Sequence, residues 1–313
     1  MNYEGLSRRV HHLAERLAGC RDPLIVLYHH VADVAADPWE LAVSPRHFEQ
    51  QIAVLSQAFE IVPLSEIRSG RTSRKPLAAI TFDDGYRDVA TVAAPILERF
   101  DCPATVFLTT GAIGAKREFW WDELTRIVLE SDYVGDIAFV AKGKDVRRTL
   151  TAGRRDRRKA HREIWAILAS LDGSERADIL EALAATTGAD LAPRPSHAIM
   201  SADDVARLKG GPLAVGAHTV THPNLPDLDP EAQWREISQS RRDCEILTGE
   251  RPDTFAYPHG TYAPVSVAAV KQAGFTVGVT CELDYVRADD DDALLPRFGT
   301  RDCGGLEMLL RLS

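Results

Sequence analysis

The feature that most constrains this chain is a short apolar run that stops at two adjacent carboxylates. Apolar, β-rich residues occupy positions 77–82, and the letters DDG follow at 83–85. This pattern predicts a buried strand of a parallel sheet with two acids at its carboxyl end, where α/β folds place their chemistry. Because side-chain alternation is lost where a strand becomes a turn, both acids can face one cleft, and Gly85 allows such a turn.

Two neighbouring carboxylates repel each other, so both stay ionised near neutral pH only if a positive charge lies beside them. A bound metal ion would supply that charge. The plainer alternative is a solvated Asp-Asp-Gly turn, which is the commoner origin of this tripeptide. A second motif favours the metal.

Two histidines, His218 and His222, follow a second apolar run at 213–215. The β-branched residues at 219–221 and the following Pro223 disfavour a helix. A straight strand would separate the two imidazoles by roughly 13 Å, which is too far for ligands that bind one ion at about 2 Å. We therefore predict that the strand ends at His218 and the chain turns back. One carboxylate, two imidazoles and an open fourth position are typical of a catalytic zinc site.

The motifs TFDDGY at 81–86 and HTVTHP at 218–223 resemble the first two motifs of the polysaccharide deacetylase family (carbohydrate esterase family 4, the NodB-homology domain). A third segment, FAYPHG at 255–260, resembles the third motif, and a looser resemblance runs from about residue 25 to about residue 298. The resemblance implies an α/β fold, a distorted, incomplete (β/α)7-type barrel with a mostly helical insertion.

The resemblance also implies a metal-dependent hydrolase that removes N-acetyl groups from amino sugars through a metal-activated water. It assigns Asp84, His218 and His222 to the metal and Asp83 to the general base. The backbone N–H of His259 would stabilise the oxyanion. The expected cofactor is one divalent ion, Zn²⁺ by default for these ligands, with Co²⁺, Ni²⁺ and Fe²⁺ also compatible.

Two residues common in the family are missing from this chain. Ala256 replaces the arginine that usually opens the third motif, so we expect Arg297 to be the cation beside Asp83; an ordinary surface arginine is the alternative. No histidine follows His259, so the usual C-terminal acid is absent as well.

Two histidines, His29 and His30, follow an apolar run at 23–28, and one of them is expected to be structural. Resemblance to the part of the family in which the histidine after this tyrosine serves as the acid selects His29 as the expected general acid, a task suited to an imidazole with an ordinary pKa of about 6.5.

Four aromatic residues are expected to contact substrate. Tyr86 and Tyr257 belong to the motifs, and Trp120 and Trp121 could stack on sugar faces, although core filling is the competing role for the tryptophans. The tryptophans begin a stretch, 115–195, in which the strand–helix rhythm breaks and apolar residues recur at helical spacing.

We predict a single domain, 1–313, with residues 115–195 as a helical insertion and an amphipathic helix at 1–21. Residues 142–162 carry ten Lys/Arg against two Asp. Such a run is usually a solvated face, yet it would attract an anionic glycan, a lipid phosphate or a membrane headgroup.

Composition restricts partners and compartment. The net charge of −9 argues against a general nucleic-acid binder, and five scattered cysteines without a C-x-x-C pair argue against a disulfide framework. The expected partner is an N-acetylated sugar, glycan or glycan precursor. Without a signal peptide or a transmembrane segment in the sequence, we expect a cytoplasmic protein, with peripheral contact to the inner membrane face as an extension. The oligomeric state stays open.

Two other functions stay open from the sequence. The same site could act on a non-sugar amide, as in relatives that resemble allantoinases and cyclic imidases, or the chain could be a noncatalytic glycan-binding protein. Exposed aromatic residues along an open groove would favour sugar, and a small closed pocket would favour the amide. Retention of Asp83 and of all three metal ligands argues against the noncatalytic function.

Overall fold

The computed structural model describes residues 22–70 and 73–312, so the predicted helix at 1–21 lies outside the described residues. The described chain divides into two compact units. Residues 22–33, 41–70, 73–114 and 199–312 form the first, which we call the barrel unit. Residues 34–40 and 115–198 form the second, which we call the insertion unit. No helix among the described residues is both long and apolar enough to cross a membrane.

Strands and helices alternate along much of the described chain. The strands are β1 (Leu24–Tyr28), β2 (Glu60–Ile61), β3 (Leu77–Phe82), β4 (Ala104–Leu108), β5 (Gly135–Ala141), β6 (Lys144–Leu150), β7 (Leu213–Ala217), β8 (Thr254–Ala256), β9 (Val277–Val279) and β10 (Phe298–Gly299). The α-helices are α1 (Pro45–Ala58), α2 (Ala94–Arg99), α3 (Trp120–Thr125), α4 (Arg154–Leu168), α5 (Gly173–Thr187), α6 (Ala202–Ala206), α7 (Pro230–Thr248), α8 (Pro264–Ala273) and α9 (Gly305–Leu312). Short π-helical segments, Val89–Ala93 and Arg126–Glu130, precede α2 and follow α3.

A parallel sheet forms the centre of the barrel unit. Seven strands lie in the order β10-β1-β3-β4-β7-β8-β9, and β2 pairs with the start of β3. The segment that leads into β10 joins the two ends of this sheet, because Leu295 pairs with Val279 of β9 and Phe298 pairs with Val26 of β1. The predicted α/β fold, an incomplete (β/α)7-type barrel, is confirmed.

Local sequence accounts for the elements that carry the site. Every residue of β1, β3 and β4 is buried, as expected for parallel strands covered on both faces, and β3 has the predicted bounds. Helix α1 begins at the predicted Pro45, whose fixed φ suits the first helical position. Helix α8 ends at Ala273 and is capped by Gly274, whose φ of +90° is the left-handed conformation that glycine adopts most easily.

The insertion unit has its own apolar core, to which α3, α4, α5 and strand β5 contribute, with Leu124, Ile137, Ile164 and Leu183 fully buried. The sequence pattern predicts a mostly helical stretch here, and it does not predict the antiparallel β5–β6 hairpin that the structure contains. The missed signal is Gly143 in the two-residue turn. Lys142 and Gly143 both have positive φ, +49° and +72°, as the commonest hairpin turns require.

We expect Gly216→Ala in β7 to lower the free energy of unfolding by about 1–3 kcal/mol, because overpacking a filled core forces its neighbours apart. A Cβ at Gly216 would lie 2.4 Å from the Phe107 ring and 2.7 Å from the Thr254 hydroxyl. Urea unfolding measures the change. The matched control is Gly299→Ala in β10, where an added Cβ meets nothing within 4 Å. Equal stabilities of the two variants would contradict this account of the core.

Candidate active site

Polar side chains follow the carboxyl ends of several parallel strands of the barrel unit, and these ends lie along one edge of the sheet. The predicted site residues among them are His29 after β1, Asp83 and Asp84 after β3, His218 after β7, and His259 after β8. The fold therefore brings together motifs that are more than a hundred residues apart in the chain.

The turn after β3 places both of its carboxylates at this edge of the sheet. The Asp83 N–H still donates to the Tyr28 carbonyl at 3.0 Å, which extends the pairing of β3 with β1. Asp84 and Gly85 then adopt φ of +75° and +90°. Left-handed backbone is uncommon for a residue other than glycine, and it breaks the alternation that would separate the acids. As a result His218 Nε2 lies 4.0 Å from Asp83 Oδ2 and 3.6 Å from Asp84 Oδ1.

The loop 218–222 turns back, as the spacing of its histidines required. Strand β7 ends at Ala217, and Thr219 and His222 both have left-handed backbone, with φ of +64° and +57°. The His222 N–H donates to the Thr219 hydroxyl at 3.1 Å. This turn brings His222 Nε2 to 3.4 Å from Asp84 Oδ1.

Asp84, His218 and His222 fit one divalent ion. One donor atom from each lies within 4.8 Å of the other two. The separations of 3.6 and 3.4 Å from Asp84 Oδ1 to the two imidazoles exceed ordinary hydrogen-bond lengths. Two ligands at about 2.1 Å from a tetrahedral ion stand about 3.4 Å apart. The donor set thus has the spacing and the chemistry that such an ion needs.

The protonation of the two imidazoles also suits a metal. His218 Nδ1 lies 2.8 Å from the Ala256 carbonyl, which can only accept, so Nδ1 carries the proton and Nε2 keeps its lone pair for a metal ion. Burial lowers the pKa of His218, although Asp83 opposes it. Burial also lowers the pKa of His222 well below its ordinary value, and the charges of His218 and His259 add to that. Neutral imidazole is the metal-binding form.

Arg297 is a fully buried partner of Asp83 and not a surface residue. Its Nη1 and Nη2 donate to the two Asp83 oxygens at 2.8 and 2.7 Å, and its Nε donates to the Thr280 carbonyl at 2.7 Å. Burial alone would raise the pKa of Asp83. The Arg297 charge outweighs it and, with a further contribution from His218, holds the pKa at about 2, below the ordinary 3.8. Asp83 is therefore ionised at neutral pH.

The two adjacent histidines after β1 have different environments. His30 is buried, with Nδ1 2.9 Å from Asp88 Oδ2 and its ring 3.4 Å from the Tyr86 ring centre. His29 is half-buried and within the electrostatic reach of Asp83. Burial lowers the pKa of His29 to about 4, although Asp83 opposes this, and Arg297 lowers it further. His29 is therefore uncharged at neutral pH.

The remaining predicted residues are placed as follows. The exposed His259 has a φ of +58°, and its ring lies 4.6 Å from that of His222. Tyr86 and Tyr257 are fully buried, so neither ring is accessible to a substrate in this conformation. Trp120 and Trp121 belong to the insertion unit and pack in an aromatic group, Trp120 against Trp165 and Trp121 against Phe119. Substrate contact by these four aromatic side chains stays a prediction.

Two residues beside the site are not predicted from the sequence. Cys281 Sγ lies 3.9 Å from Arg297 Nη2, and its position two residues after the carboxyl end of β9 was the signal that could have identified it. Glu236 of α7 accepts hydrogen bonds from the backbone N–H groups of Val220 and Thr221 at 2.8 and 2.9 Å. Nothing in the local sequence of α7 marks Glu236.

Comparison with known proteins identifies the same family as the motifs. A family model described as polysaccharide deacetylase matches residues 70–136 and 183–278, just over half of the chain. Among curated proteins, the poly-beta-1,6-N-acetyl-D-glucosamine N-deacetylase of Escherichia coli (strain K12) is 34% identical over 84 residues. That match covers 25% of this chain and 12% of the relative, so the chain corresponds to a small part of that protein.

Solved structures show the same fold. The Streptococcus pyogenes deacetylase PplD in complex with acetate superposes with a TM-score of 0.61 at 18% identity, covering 93% of this chain and 97% of that one. IcaB from Ammonifex degensii gives a TM-score of 0.58 at 17% identity, covering 90% and 92%. At these identities the likeness concerns the fold alone. The motifs, the barrel that joins them and the family match over more than half of the residues lead to one conclusion: the chain belongs to the polysaccharide deacetylase family.

Proposed function

We propose that this protein is a metal-dependent N-deacetylase that removes acetyl groups from amino sugars of a surface polysaccharide or exopolysaccharide, or of its precursor. One observation carries the proposal. An ionised Asp83, held by Arg297 at 2.7 and 2.8 Å, stands 4.0 Å from a histidine of a donor set for a divalent ion. The E. coli relative, named for deacetylating poly-β-1,6-N-acetyl-D-glucosamine, supports an N-acetylglucosamine polymer as the substrate class.

Asp84, His218 and His222 would hold the ion, with Zn²⁺ as the default for two imidazoles and a carboxylate and Co²⁺, Ni²⁺ or Fe²⁺ as alternatives. Such an ion, when bound, acts as a Lewis acid toward a carbonyl and lowers the pKa of a coordinated water. The chain holds the donors ready for it, because burial keeps both imidazoles neutral and the Ala256 carbonyl fixes the tautomer of His218.

Asp83 is suited to take the proton of the attacking water. Arg297 occupies one lone pair on each oxygen and leaves another on each for that proton, while it keeps the carboxylate ionised and oriented. A base needs both the correct charge and a fixed direction. The role of Arg297 is thus to support the base, as the sequence predicts.

The leaving amine and the oxyanion need two further groups. The His259 backbone N–H is the proposed donor to the oxyanion. His29 is the proposed acid. Because the pKa of His29 is lowered to about 4, it is uncharged in the free protein at neutral pH and must gain a proton before it donates one to the amine.

Asp83→Asn should lower acetate release by about 10²–10⁴-fold, the usual contribution of a general base. The assay uses zinc-loaded protein with β-1,6- and β-1,4-linked N-acetylglucosamine oligomers, N-acetylated monosaccharides and small cyclic amides. Asp289→Asn, in an exposed acidic loop, is the control and should leave the rate unchanged. Hydrolysis of the cyclic amides alone would replace the sugar substrate with the non-sugar one, and no turnover at all with metal bound would favour a binding protein.

Arg297→Ala should lower the free energy of unfolding by about 3–5 kcal/mol, because it leaves the buried Asp83 charge without its partner. Combining it with Asp83→Asn should recover part of that loss, so the two effects should not add. Replacing Arg297 with Lys instead of Ala should not recover acetate release, since an ammonium group cannot bind both Asp83 oxygens as the planar guanidinium does. Urea unfolding and acetate release give the two readouts. Strictly additive free energies would contradict a direct pair.

We also propose that the insertion unit binds an anionic membrane surface, consistent with a cytoplasmic protein at the inner face. On α4, Arg155, Arg158, Lys159 and Arg162 are exposed, and their spacing places them on one helix face. Their charge contrasts with the net −9 of the chain. Each Lys or Arg that lies near an anionic lipid surface contributes about 1 kcal/mol to the free energy of membrane binding.

Changing all four of these residues to Glu should abolish sedimentation with phosphatidylserine-containing vesicles, and binding by the unaltered protein should weaken as salt rises. Phosphatidylcholine vesicles are the lipid control. The variant control is Arg235→Glu on α7, an exposed cation of the barrel unit. Failure of the unaltered protein to bind anionic vesicles at low salt would reject the membrane contact and leave a solvated basic face.

A further inference from the structure

The loop that carries His218 and His222 needs an external restraint. Thr219 is β-branched and yet has a φ of +64°, and His222 has a φ of +57°. Left-handed backbone at such residues is unfavourable and persists only where surrounding groups fix it. The restraint within the loop is the hydrogen bond from the His222 N–H to the Thr219 hydroxyl, which lies inside the strained turn itself.

Glu236 supplies a restraint from outside the loop. Its Oε2 accepts from the backbone N–H groups of Val220 and Thr221 at 2.8 and 2.9 Å, and its Oε1 accepts from the Thr221 hydroxyl at 2.8 Å. Three donors from two consecutive residues thus converge on one half-buried carboxylate. Hydrogen bonds to an ionised acceptor are roughly twice as strong as neutral ones. The two residues lie between the metal-ligating histidines in the chain.

Helix α7 holds a second loop of the same edge in a similar way. Asp243, two turns beyond Glu236, accepts from the Thr110 hydroxyl at 2.8 Å and from Gln239 at 2.6 Å. The Thr110 N–H in turn donates to the Thr219 carbonyl at 3.1 Å. One face of α7 therefore restrains the loop 218–222 in two ways. Glu236 binds the loop directly, and Asp243 binds Thr110 in the loop after β4, which in turn binds the Thr219 carbonyl.

We propose that Glu236 is a positioning residue for the metal centre. Its carboxylate holds the backbone of residues 220–221, fixes the turn that returns His222 toward Asp84, and so determines the affinity of the donor set for a divalent ion. This inference rests on the proposed metal-dependent function. Glu236 acts through the backbone, because its two oxygens are directed at Val220 and Thr221.

The test measures zinc affinity directly, by competition with a chelating dye and without any substrate. Glu236→Ala should weaken zinc binding about 10- to 100-fold, the usual effect of removing a group that orients a ligand. Glu236→Gln should bind zinc more tightly than the alanine variant, because its amide oxygen can accept both backbone N–H groups and its NH₂ can donate to the Thr221 hydroxyl, although these bonds lack the carboxylate charge.

The control on the same helix is Glu231→Ala, which removes an exposed carboxylate whose partner is Arg235 at 2.6 Å; it should leave zinc affinity unchanged. Thermal unfolding of each metal-free variant shows whether the fold is intact. Glu236→Ala that binds zinc as tightly as the unaltered protein would overturn the inference, and so would a folded Glu236→Gln as weak as the alanine variant. If the unaltered protein binds no divalent ion, the proposed function itself fails, a result that is distinct from either.

Discussion

The ion pair between Asp83 and Arg297 is the interaction on which the rest of the site depends. Both side chains are essentially removed from solvent, so either charge alone would be costly, and two parallel hydrogen bonds of 2.7 and 2.8 Å compensate them. The arginine reaches this position because its segment joins the two ends of the sheet, pairing with β9 at Leu295 and with β1 at Phe298. The segment that joins the two ends of the sheet therefore also holds the carboxylate of Asp83, the proposed base.

The loops that carry the proposed metal ligands have backbone conformations that residues other than glycine adopt only when neighbouring groups hold them. Asp84, Thr219 and His222 all have positive φ, and each of these residues is either a proposed metal ligand or part of the loop between two proposed ligands. The cost is offset by hydrogen bonds from neighbouring elements, among them those to Glu236 on α7 and to the Thr219 carbonyl from Thr110. Such strain is common where a site must hold donors at a fixed spacing.

Much of the site could be predicted because its chemistry is local. The apolar run and DDG at 77–85 specified a buried strand and its acidic end, and the β-branched residues between His218 and His222 required a turn rather than a helix. The hairpin of β5 and β6 escaped prediction, since the charged side chains of β6 resemble a helix surface as much as a strand. Glu236 escaped it for a different reason: hydrogen bonds to a distant loop leave no pattern in the sequence of α7.

The sequence alone determined which residues are the candidate metal donors, where the strands β3 and β7 run and to which family the chain is similar, because motif residues and short-range periodicity are properties of neighbouring positions. Tertiary structure decided the rest. It made Arg297 the partner of Asp83, placed His29 where the Asp83 charge acts on it, paired His30 with Asp88, and buried Tyr86 and Tyr257. These outcomes depend on which strands become neighbours in the curled sheet, and that pairing joins residues too far apart in the chain for local patterns to relate them.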